Sequence, residues 1–285
     1  MRIIRLFIVI LFVISIAFTV YIKLSDNADY QAPVISCNLD TITASVNDTD
    51  DKLLSYVTAN DAKDGDLTDK IIVESVSPFV SKNTAKITYA VCDSENNVAK
   101  IEKDIVFYDY SAPEFSFSTQ HVYYVGATKV DLLNGVSAYD CLDGDITSRI
   151  VISESEINLS EPGIYPVTYK VTTSKGVTSE ITINAYVYAG RLNDVISLNS
   201  YLVYTDFGKP VDAESFISLL PDKYFNNEDN YYTYDFEIIE NVDYKKQGIH
   251  YITYRISRTD DNEEFSEPFI IAESYLAVAV RGENK

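Results

Sequence analysis

Residues 59–71 read Ala-Asn-Asp-Ala-Lys-Asp-Gly-Asp-Leu-Thr-Asp-Lys-Ile, and residues 138–150 read Ala-Tyr-Asp-Cys-Leu-Asp-Gly-Asp-Ile-Thr-Ser-Arg-Ile. The second stretch begins 79 positions after the first, at 138 against 59. Self-similarity at a fixed period of this size indicates tandem copies of one structural unit. Because the chain has 285 residues, a repeat of about 80 residues predicts three domains.

Apolar and polar residues alternate with a period of two on both sides of the repeated stretch. The alternation runs through 86–91 in the first copy and through 165–171 in the second. This period is typical of β-strands that bury one face. Turn-forming sequences separate the strands at 94–97, 161–163 and 174–176. The pattern therefore predicts an all-β fold built from antiparallel β-sandwiches.

Two similar proline-containing segments mark the domain borders. Asp29-Tyr30-Gln31-Ala32-Pro33 is matched by Asp109-Tyr110-Ser111-Ala112-Pro113. Proline fixes φ and cannot donate to a sheet ladder, so it belongs at the edge of a module. We therefore expect a polar tether at 24–29 and domains at 30–109, 110–190 and 191–285.

The third predicted domain departs from the other two. Its segment Gly248–Tyr254 matches Gly163–Tyr169, so a late strand is expected there, but no copy of the acidic stretch precedes it. The apolar spacing in 212–220 predicts a turn or two of helix instead. Divergence at one end of a repeat array indicates either a capping unit or a specialised binding module.

Residues 1–23 are strongly apolar. Leu6 to Ile22 is a run of 17 residues without a charge, flanked by Arg5 and Lys23. As a helix it is about 25 Å long, near the lower limit for crossing a bilayer. We therefore expect an N-terminal transmembrane helix that anchors the protein in a membrane in a single pass, with the N-terminus cytoplasmic and the domains extracellular. The alternative is a signal peptide cleaved after the Ser15-Ile16-Ala17 segment, which would give a secreted protein.

The charge balance limits the partners. Lys and Arg number 23 and Asp and Glu number 43, for a net charge of -20. Such a surface repels phosphate, so no nucleic acid is expected as a partner, whereas cations, basic proteins and neutral glycans remain open. The 3 cysteines allow at most one internal bridge. Cys37 and Cys92 share the first copy, but the second copy has no equivalent pair, which argues against a bridge that defines the fold.

The acidic stretch offers two chemical interpretations. Its carboxylates can supply oxygen ligands to Ca²⁺, although their spacing is not that of an EF-hand. The favoured alternative is structural: Asp-Gly turns the chain while the acids accept hydrogen bonds from loop amides and from a threonine. The candidate metal-ligating residues are Asp61, Asp64, Asp66, Asp140, Asp143 and Asp145. No other cofactor is expected.

Tyrosine and histidine give weaker signals. Among the 23 tyrosines, the clusters Tyr123-Tyr124 and 231–234 can stack on sugar rings, but tyrosine also favours strands, and packing is the preferred interpretation. His121 and His250 lie far apart, without other ligands at metal-binding spacing. No motif of a serine hydrolase, zinc protease or phosphate-binding loop occurs, so no catalytic residue and no enzyme activity are expected.

The repeated motifs together resemble a known family. The Ala-Pro start, the Ala-x-Asp-x-x-Asp-Gly-Asp turn and the Gly-x-Tyr-x-Val-Thr-Tyr strand are similar to the bacterial immunoglobulin-like repeat first named from an insecticidal crystal toxin. The resemblance covers about residues 30–189, although Asn83 to Lys86 replaces the Gly-x-Tyr start in the first copy. It implies tandem immunoglobulin-like sandwiches on a bacterial cell surface, used as spacers, stalks or adhesive modules.

These observations lead to one expected function and one alternative. The expected function is a non-enzymatic, membrane-anchored, extracellular repeat protein that acts as a spacer or interaction module. The alternative is an adhesin that binds a glycan or a protein through its third domain, held away from the membrane by the first two.

Overall fold

The computed structural model describes the backbone of residues 2–25, 31–225, 232–260 and 269–282. Within these ranges the helices are α1 (Arg2–Ser25) and α2 (Asp50–Leu54), with short 3-10 helices at Thr68–Lys70, Thr147–Arg149, Glu214–Phe216 and Asp222–Tyr224. All other regular elements of the described residues are β-strands, so the predicted all-β fold is confirmed.

The strands follow the three predicted copies. In the first copy they are β1 (Val34–Ser36), β2 (Thr41–Ala44), β3 (Thr58–Asp61), β4 (Gly65–Asp66), β5 (Ile72–Val76), β6 (Thr84–Cys92) and β7 (Val98–Phe107). In the second they are β8 (Glu114–Phe117), β9 (Val122–Tyr124), β10 (Val136–Asp140), β11 (Gly144–Asp145), β12 (Val151–Ser155), β13 (Gly163–Thr172) and β14 (Thr178–Tyr188). In the third they are β15 (Ser197–Leu198), β16 (Leu202–Thr205), β17 (Ile217–Leu219), β18 (Tyr232–Asn241), β19 (Gly248–Asp260) and β20 (Phe269–Val280).

The chain divides into two compact units, Met1–Tyr110 and Ser111–Lys285. The first unit contains one sandwich, with sheets ordered β1-β3-β4 and β2-β7-β6-β5. Its core holds the fully buried side chains of Ile42, Ile87 and Ile105, which come from inward-facing positions of the neighbouring strands β2, β6 and β7. Tyr89 is also buried, and its hydroxyl donates to the carbonyl of Leu53 at 2.9 Å.

The second unit contains two sandwiches. The sheets of one are ordered β11-β10-β8 and β12-β13-β14-β9, and those of the other β15-β17 and β16-β20-β19-β18. Both bulges of the repeat coincide: the register shifts between Val73 and Ser75 in the first sandwich and between Ile152 and Glu154 in the second. The repeat inferred from the acidic stretch therefore extends to the details of strand pairing.

One feature corrects the expectation of purely antiparallel sheets. In each sandwich the early strand of the four-stranded sheet pairs in parallel with the last strand: β2 with β7, β9 with β14 and β16 with β20. In the first sandwich the opening segment contributes β1 to one sheet and then β2 to the other, separated only by residues 37–40. The opening segment therefore supplies an edge strand to each of the two sheets, β1 to one and β2 to the other.

The second and third sandwiches share apolar packing within their unit. Leu202, Ala277 and Ala279 of the third sandwich belong to the same buried cluster as Phe115 and Phe117 of the second. The third sandwich also has its own core, which includes the fully buried Tyr254 and Leu276. The predicted domains 110–190 and 191–285 are therefore joined by a common apolar contact.

Two predictions about helices are corrected. The N-terminal helix forms as α1, but no helix in the described part of the chain is long and apolar enough to cross a membrane. The predicted transmembrane helix and membrane anchor are therefore not supported. The predicted helix in 212–220 is limited to one 3-10 turn, because the chain then enters β17 and pairs with β15.

All three cysteines are free thiols. Cys37 and Cys141 are partly buried and Cys92 is exposed. The sulfur of Cys141 lies 3.6 Å from the carbonyl oxygen of Ser111, at the start of the second unit.

Candidate functional site

The first acidic turn connects β3 to β4. Asp61 is buried at the end of β3, and its Oδ1 accepts hydrogen bonds from the backbone N–H groups of Lys63 and Asp64, both at 2.8 Å. Gly65 then adopts φ +77°, a left-handed conformation that favours glycine. These contacts explain why an Asp stands three residues before the Asp-Gly pair.

The other two carboxylates hold the turn against its surroundings. Asp64 accepts from the backbone N–H of Ser94 at 2.6 Å and from the Ser94 hydroxyl at 2.9 Å, which ties the turn to the loop between β6 and β7. These two bonds lower the pKa of Asp64. Asp66 accepts from the N–H of Thr68 at 2.9 Å, and bonds to the Thr68 side chain and backbone lower its pKa.

The second turn repeats this arrangement. Asp140 accepts from the N–H groups of Leu142 and Asp143 at 3.0 and 2.9 Å. Asp143 accepts from Ser174 N–H at 2.6 Å and from its hydroxyl at 2.5 Å. Burial by itself raises the pKa of Asp143, but the bonds from Ser174 and the Arg149 guanidinium outweigh it and lower the pKa. Asp145 accepts from Thr147 N–H at 2.9 Å.

The six predicted aspartates are thus brought together in two groups of three, each of which braces its own loop. These hydrogen bonds are those expected from the structural interpretation. Within the residues that the structure describes, no group of three or more His, Cys, Asp or Glu side chains is arranged to hold a metal ion. Calcium binding at these turns stays a prediction.

The contact between the second and third sandwiches is a specific polar joint that sequence reasoning missed. The Gln120 side chain donates to the carbonyl of Glu273 at 3.3 Å and accepts from the N–H of Tyr275 at 3.1 Å. The N–H of Asn184 donates to the Tyr251 hydroxyl at 2.9 Å. Backbone and side-chain bonds therefore fix the third sandwich on the second.

A buried carboxylate lies at the centre of this joint. Glu273 is only 4% exposed and accepts from the Tyr188 hydroxyl at 2.7 Å, from the Tyr275 hydroxyl and from Arg255 Nε at 2.7 Å. The Tyr275 ring stacks on Tyr186, with centroids 3.7 Å apart and planes 4° from parallel. Burial raises the pKa of both Tyr188 and Tyr275. The abundance of tyrosine was the sequence signal for this cluster, but it did not indicate where the rings meet.

A groove of about 850 Å³ opens beside the joint and is lined by both sandwiches. Its floor is the outward face of β8, β10 and β11, where Tyr139 is 63% exposed. The other floor residues are Glu114, Ser116, Ser137, Asp145 and Thr147. Its wall comes from the third sandwich and includes Ser200, Leu202, Tyr204, Phe216 and Arg281. Ligand sites are commonly concave and of this size, so the groove is the candidate binding site.

The charged groups that line the groove are already engaged. Arg281 forms an ion pair with Glu114, contacts Asp206 at 3.6 Å and lies over the Tyr204 ring at 5.4 Å. The Thr147 side chain and N–H bind Asp145 and lower its pKa. Arg281 is therefore paired, and the groove keeps the negative charge of Asp145.

The first sandwich has a groove at the equivalent position, but it is smaller and lined by one sandwich alone. It measures about 640 Å³ and lies on the outward face of β1, β3 and β4. Asn60 pairs with Asp66 there as Tyr139 pairs with Asp145, so an amide replaces the exposed aromatic ring. All lining residues lie between Gln31 and Thr68, whereas the second groove gains a wall from another sandwich.

The predicted tyrosine cluster Tyr123-Tyr124 lies in β9 and packs against the fold. Tyr123 adjoins the apolar cluster, and its hydroxyl donates to the carbonyl of Asp131 at 3.0 Å. The Tyr124 ring lies 6.5 Å from that of Tyr188, with the Arg191 guanidinium 5.8 Å away. Packing, the preferred interpretation, is confirmed at these two positions.

In the second cluster, Tyr231 lies outside the described residues. Tyr232 and Tyr234 stand in β18. Arg258 lies 4.2 Å from the Tyr232 ring centroid and 5.2 Å from that of Phe269, which is 54% exposed. The third sandwich therefore carries an exposed aromatic patch of its own.

Both histidines are engaged in structural contacts. His121 is buried just before β9, where Nε2 donates to the carbonyl of Asn134 at 3.2 Å and Nδ1 lies 2.8 Å from the Tyr169 hydroxyl. Burial lowers its pKa. His250 lies in β19, with Nε2 2.8 Å from the carbonyl of Lys246 in the preceding turn.

Residues 122–187 match the profile of a family described as "Bacterial surface protein, Ig-like domain". The resemblance to bacterial immunoglobulin-like repeats is confirmed. This segment covers most of the second sandwich, from β9 to the end of β14.

Two curated relatives match part of the chain. Pesticidal crystal protein Cry22Aa of Bacillus thuringiensis is 35% identical over 126 residues, which are 43% of this chain and 17% of that protein. An uncharacterized 81.3 kDa protein of Acholeplasma phage L2 is 33% identical over 104 residues, which are 36% of this chain and 13% of that protein. The chain thus spans less than a fifth of the length of either relative.

Solved structures show only partial likeness. The CBM51-2 and INT domains of Clostridium perfringens ZmpB, in complex with GlcNAc, are 18% identical, with 59% of this chain and 44% of that chain covered and a TM-score of 0.26. The protocadherin GammaB4 extracellular domain is 14% identical, with 89% and 50% covered and a TM-score of 0.21. No ligand or domain arrangement is inferred from likeness at this level.

Proposed function

We propose that this chain is a non-enzymatic, extracellular interaction module in which the second and third sandwiches present one binding surface. The first sandwich acts as a spacer. The observation that carries the proposal is the groove lined jointly by β8, β10 and β11 of the second sandwich and by Leu202, Tyr204 and Arg281 of the third.

The joint supports this role because it holds the two walls of the groove in place. A binding site built from two domains loses affinity when the domains move independently, since ordering them costs free energy on binding. Here the bonds of Gln120 and the bond from the Tyr188 hydroxyl to Glu273 hold the third sandwich on the second. Recognition is therefore proposed in the groove beside the joint, which both sandwiches line, rather than in the third domain alone.

The contacts of the histidines support a non-enzymatic role. A general base needs a ring nitrogen within reach of a reacting group. Both ring nitrogens of His121 face protein partners, and His250 Nε2 binds the backbone of its own turn. In the groove, Cys141 contacts a carbonyl, and neither histidine is among the lining residues that the structure describes.

A pair of matched variants tests the proposal. Ser137→Tyr places a bulky side chain on the groove floor, and Thr58→Tyr makes the same change at the equivalent position of the first sandwich. Full-length protein is screened against surface proteins and glycans in solution. We expect the captured ligand to be lost with Ser137→Tyr and kept with Thr58→Tyr. Equal binding by both variants would contradict recognition in the groove.

A further inference from the structure

We propose that the groove beside the joint binds an uncharged oligosaccharide. This inference rests on the proposed function and adds the chemical class of the ligand. It follows from the charges, the aromatic surface and the strand edge that surround the groove.

The first argument is electrostatic. A site for an anionic ligand needs a cation that is free to pair with it, and a site for a cationic ligand needs a free carboxylate. Arg281 pairs with Glu114 and Asp206, and Asp145 keeps its negative charge while it accepts the N–H of Thr147. An anionic ligand would have to break the ion pairs of Arg281 and approach Asp145, whereas a neutral ligand leaves these contacts intact.

The second argument concerns the aromatic surface and its neighbours. Tyr139 is 63% exposed on the floor, and its hydroxyl has no hydrogen-bond partner among the described residues. An open aromatic face packs well against the apolar face of a sugar ring. Ser116 and Ser137, joined by a 2.7 Å hydrogen bond, and Ser111 supply hydroxyl groups, whereas the Ser200 hydroxyl already donates to the carbonyl of Leu202.

The third argument disfavours an extended peptide. A peptide that binds by strand addition needs free backbone N–H and C=O groups at a sheet edge. At the β8 edge, the N–H of Phe115 donates to the Tyr204 hydroxyl at 3.1 Å, and the carbonyl of Phe117 accepts from the N–H of Tyr201 at 2.9 Å. The third sandwich has therefore taken the positions that a peptide strand would use.

The first sandwich provides an internal comparison. Asn60 occupies the position of Tyr139 on the same fold, which means that an asparagine is tolerated there in the equivalent strand. Tyr139→Asn therefore removes the aromatic surface with little expected effect on folding. Tyr108→Asn is a suitable control, because Tyr108 is 67% exposed and lies outside the groove.

The experiment is a calorimetric titration of the full chain. Cellotriose, maltotriose and N,N′,N″-triacetylchitotriose serve as neutral probes, and trigalacturonic acid serves as an anionic probe of the same size. We expect at least one neutral probe to bind with an affinity that changes little with salt, and the charged probe to bind more weakly. Tyr139→Asn is expected to weaken binding about tenfold or more, and Tyr108→Asn to leave it unchanged.

Two results would overturn the inference. One is that only the charged probe binds; the other is that neutral probes bind equally to Tyr139→Asn and to the unsubstituted protein. If no sugar binds but a protein ligand is lost with Ser137→Tyr, the inference fails and the proposed function stands. If no ligand of any class is sensitive to Ser137→Tyr, both fail.

Discussion

The ring of Tyr186 in the second sandwich lies face to face with that of Tyr275 in the third, with centroids 3.7 Å apart and planes 4° from parallel. Tyr186 is 6% exposed, and the hydroxyl of Tyr275 binds the buried Glu273. Tyr275 thus packs its ring on the second sandwich while its hydroxyl binds the carboxylate at the centre of the joint. Because this pair packs across the boundary between the two sandwiches, we expect the joint to contribute to the stability of both.

Tyr275→Ala is expected to destabilise this joint. The change removes a large packed ring and one of the donors to Glu273, for a cost of about 3 kcal/mol. Urea unfolding followed by circular dichroism measures it, and the second and third sandwiches should then unfold at separate midpoints. Tyr108→Ala, at an exposed position, is the control. An unchanged midpoint for Tyr275→Ala would show that the joint contributes nothing to stability.

The acidic turns are expected to contribute to stability without any metal. Asp61→Ala leaves the N–H groups of Lys63 and Asp64 without their acceptor, and a cost of about 1–3 kcal/mol is expected. Asp140→Ala should have a similar cost in the second sandwich. Asp69→Ala is the control, because the second copy has Ser148 at that position. Thermal unfolding of the three variants compares them directly, and equal melting temperatures would refute the bracing role.

Calcium is expected to leave the melting temperature unchanged. A ligand that binds only the folded state raises the melting temperature by mass action. Because the turn carboxylates already accept bonds from loop N–H groups, Ca²⁺ would have to compete with those contacts. The test compares melting in millimolar Ca²⁺ with melting in chelator. A rise with Ca²⁺ that disappears in Asp64→Asn and Asp143→Asn would establish metal binding and overturn this expectation.

His121 is expected to make stability fall below neutral pH. Burial lowers its pKa in the folded state, so folding favours the neutral ring. The stability it contributes is complete above the unfolded pKa of about 6.5 and is lost as the pH falls toward the lower folded pKa, by about 1.4 kcal/mol per pH unit between the two. The nearby Asp131 carboxylate opposes this shift in part.

The measurement is the melting temperature from pH 8 to pH 5. His121→Gln should remove the part of the decline that lies between the two pKa values. The shifted turn aspartates titrate below this window, since their pKa values lie under the usual value of about 4. A profile unchanged by His121→Gln would contradict the assignment.

The sequence indicated the repeated fold because its signals are local. The side chains of the Asp three residues before Asp-Gly and of the Thr three residues after it both bind backbone groups of the same segment. The structural role of the motif therefore lies within ten residues. Strand alternation likewise predicted the buried positions of Ile87, Tyr89, Val167 and Tyr169. The structural role of Asp61 and Asp140 could therefore be anticipated.

The features that the sequence did not predict depend on contacts between residues that are far apart in the chain. The 212–220 segment has apolar spacing that suits a helix, but Ile217 pairs with Leu198, and this pairing depends on where β15 lies. The groove could not be predicted from the sequence, because its floor and wall are separated by more than 50 residues along the chain. Spacing along the chain contains no information about such a contact.

The sequence by itself determined that this chain contains tandem β-sandwiches with acidic turns at a fixed period, because period-two alternation and a repeated motif are properties of neighbouring residues. Only the tertiary structure decided that the second and third sandwiches share packing, that Gln120 reaches Glu273 across 153 positions, and that Tyr139 faces a wall containing Arg281. These contacts depend on how two folded surfaces fit together. Tyrosines outside the two clusters that the sequence singled out therefore form the joint, through Tyr186, Tyr188 and Tyr275, and line the groove, through Tyr139 and Tyr204.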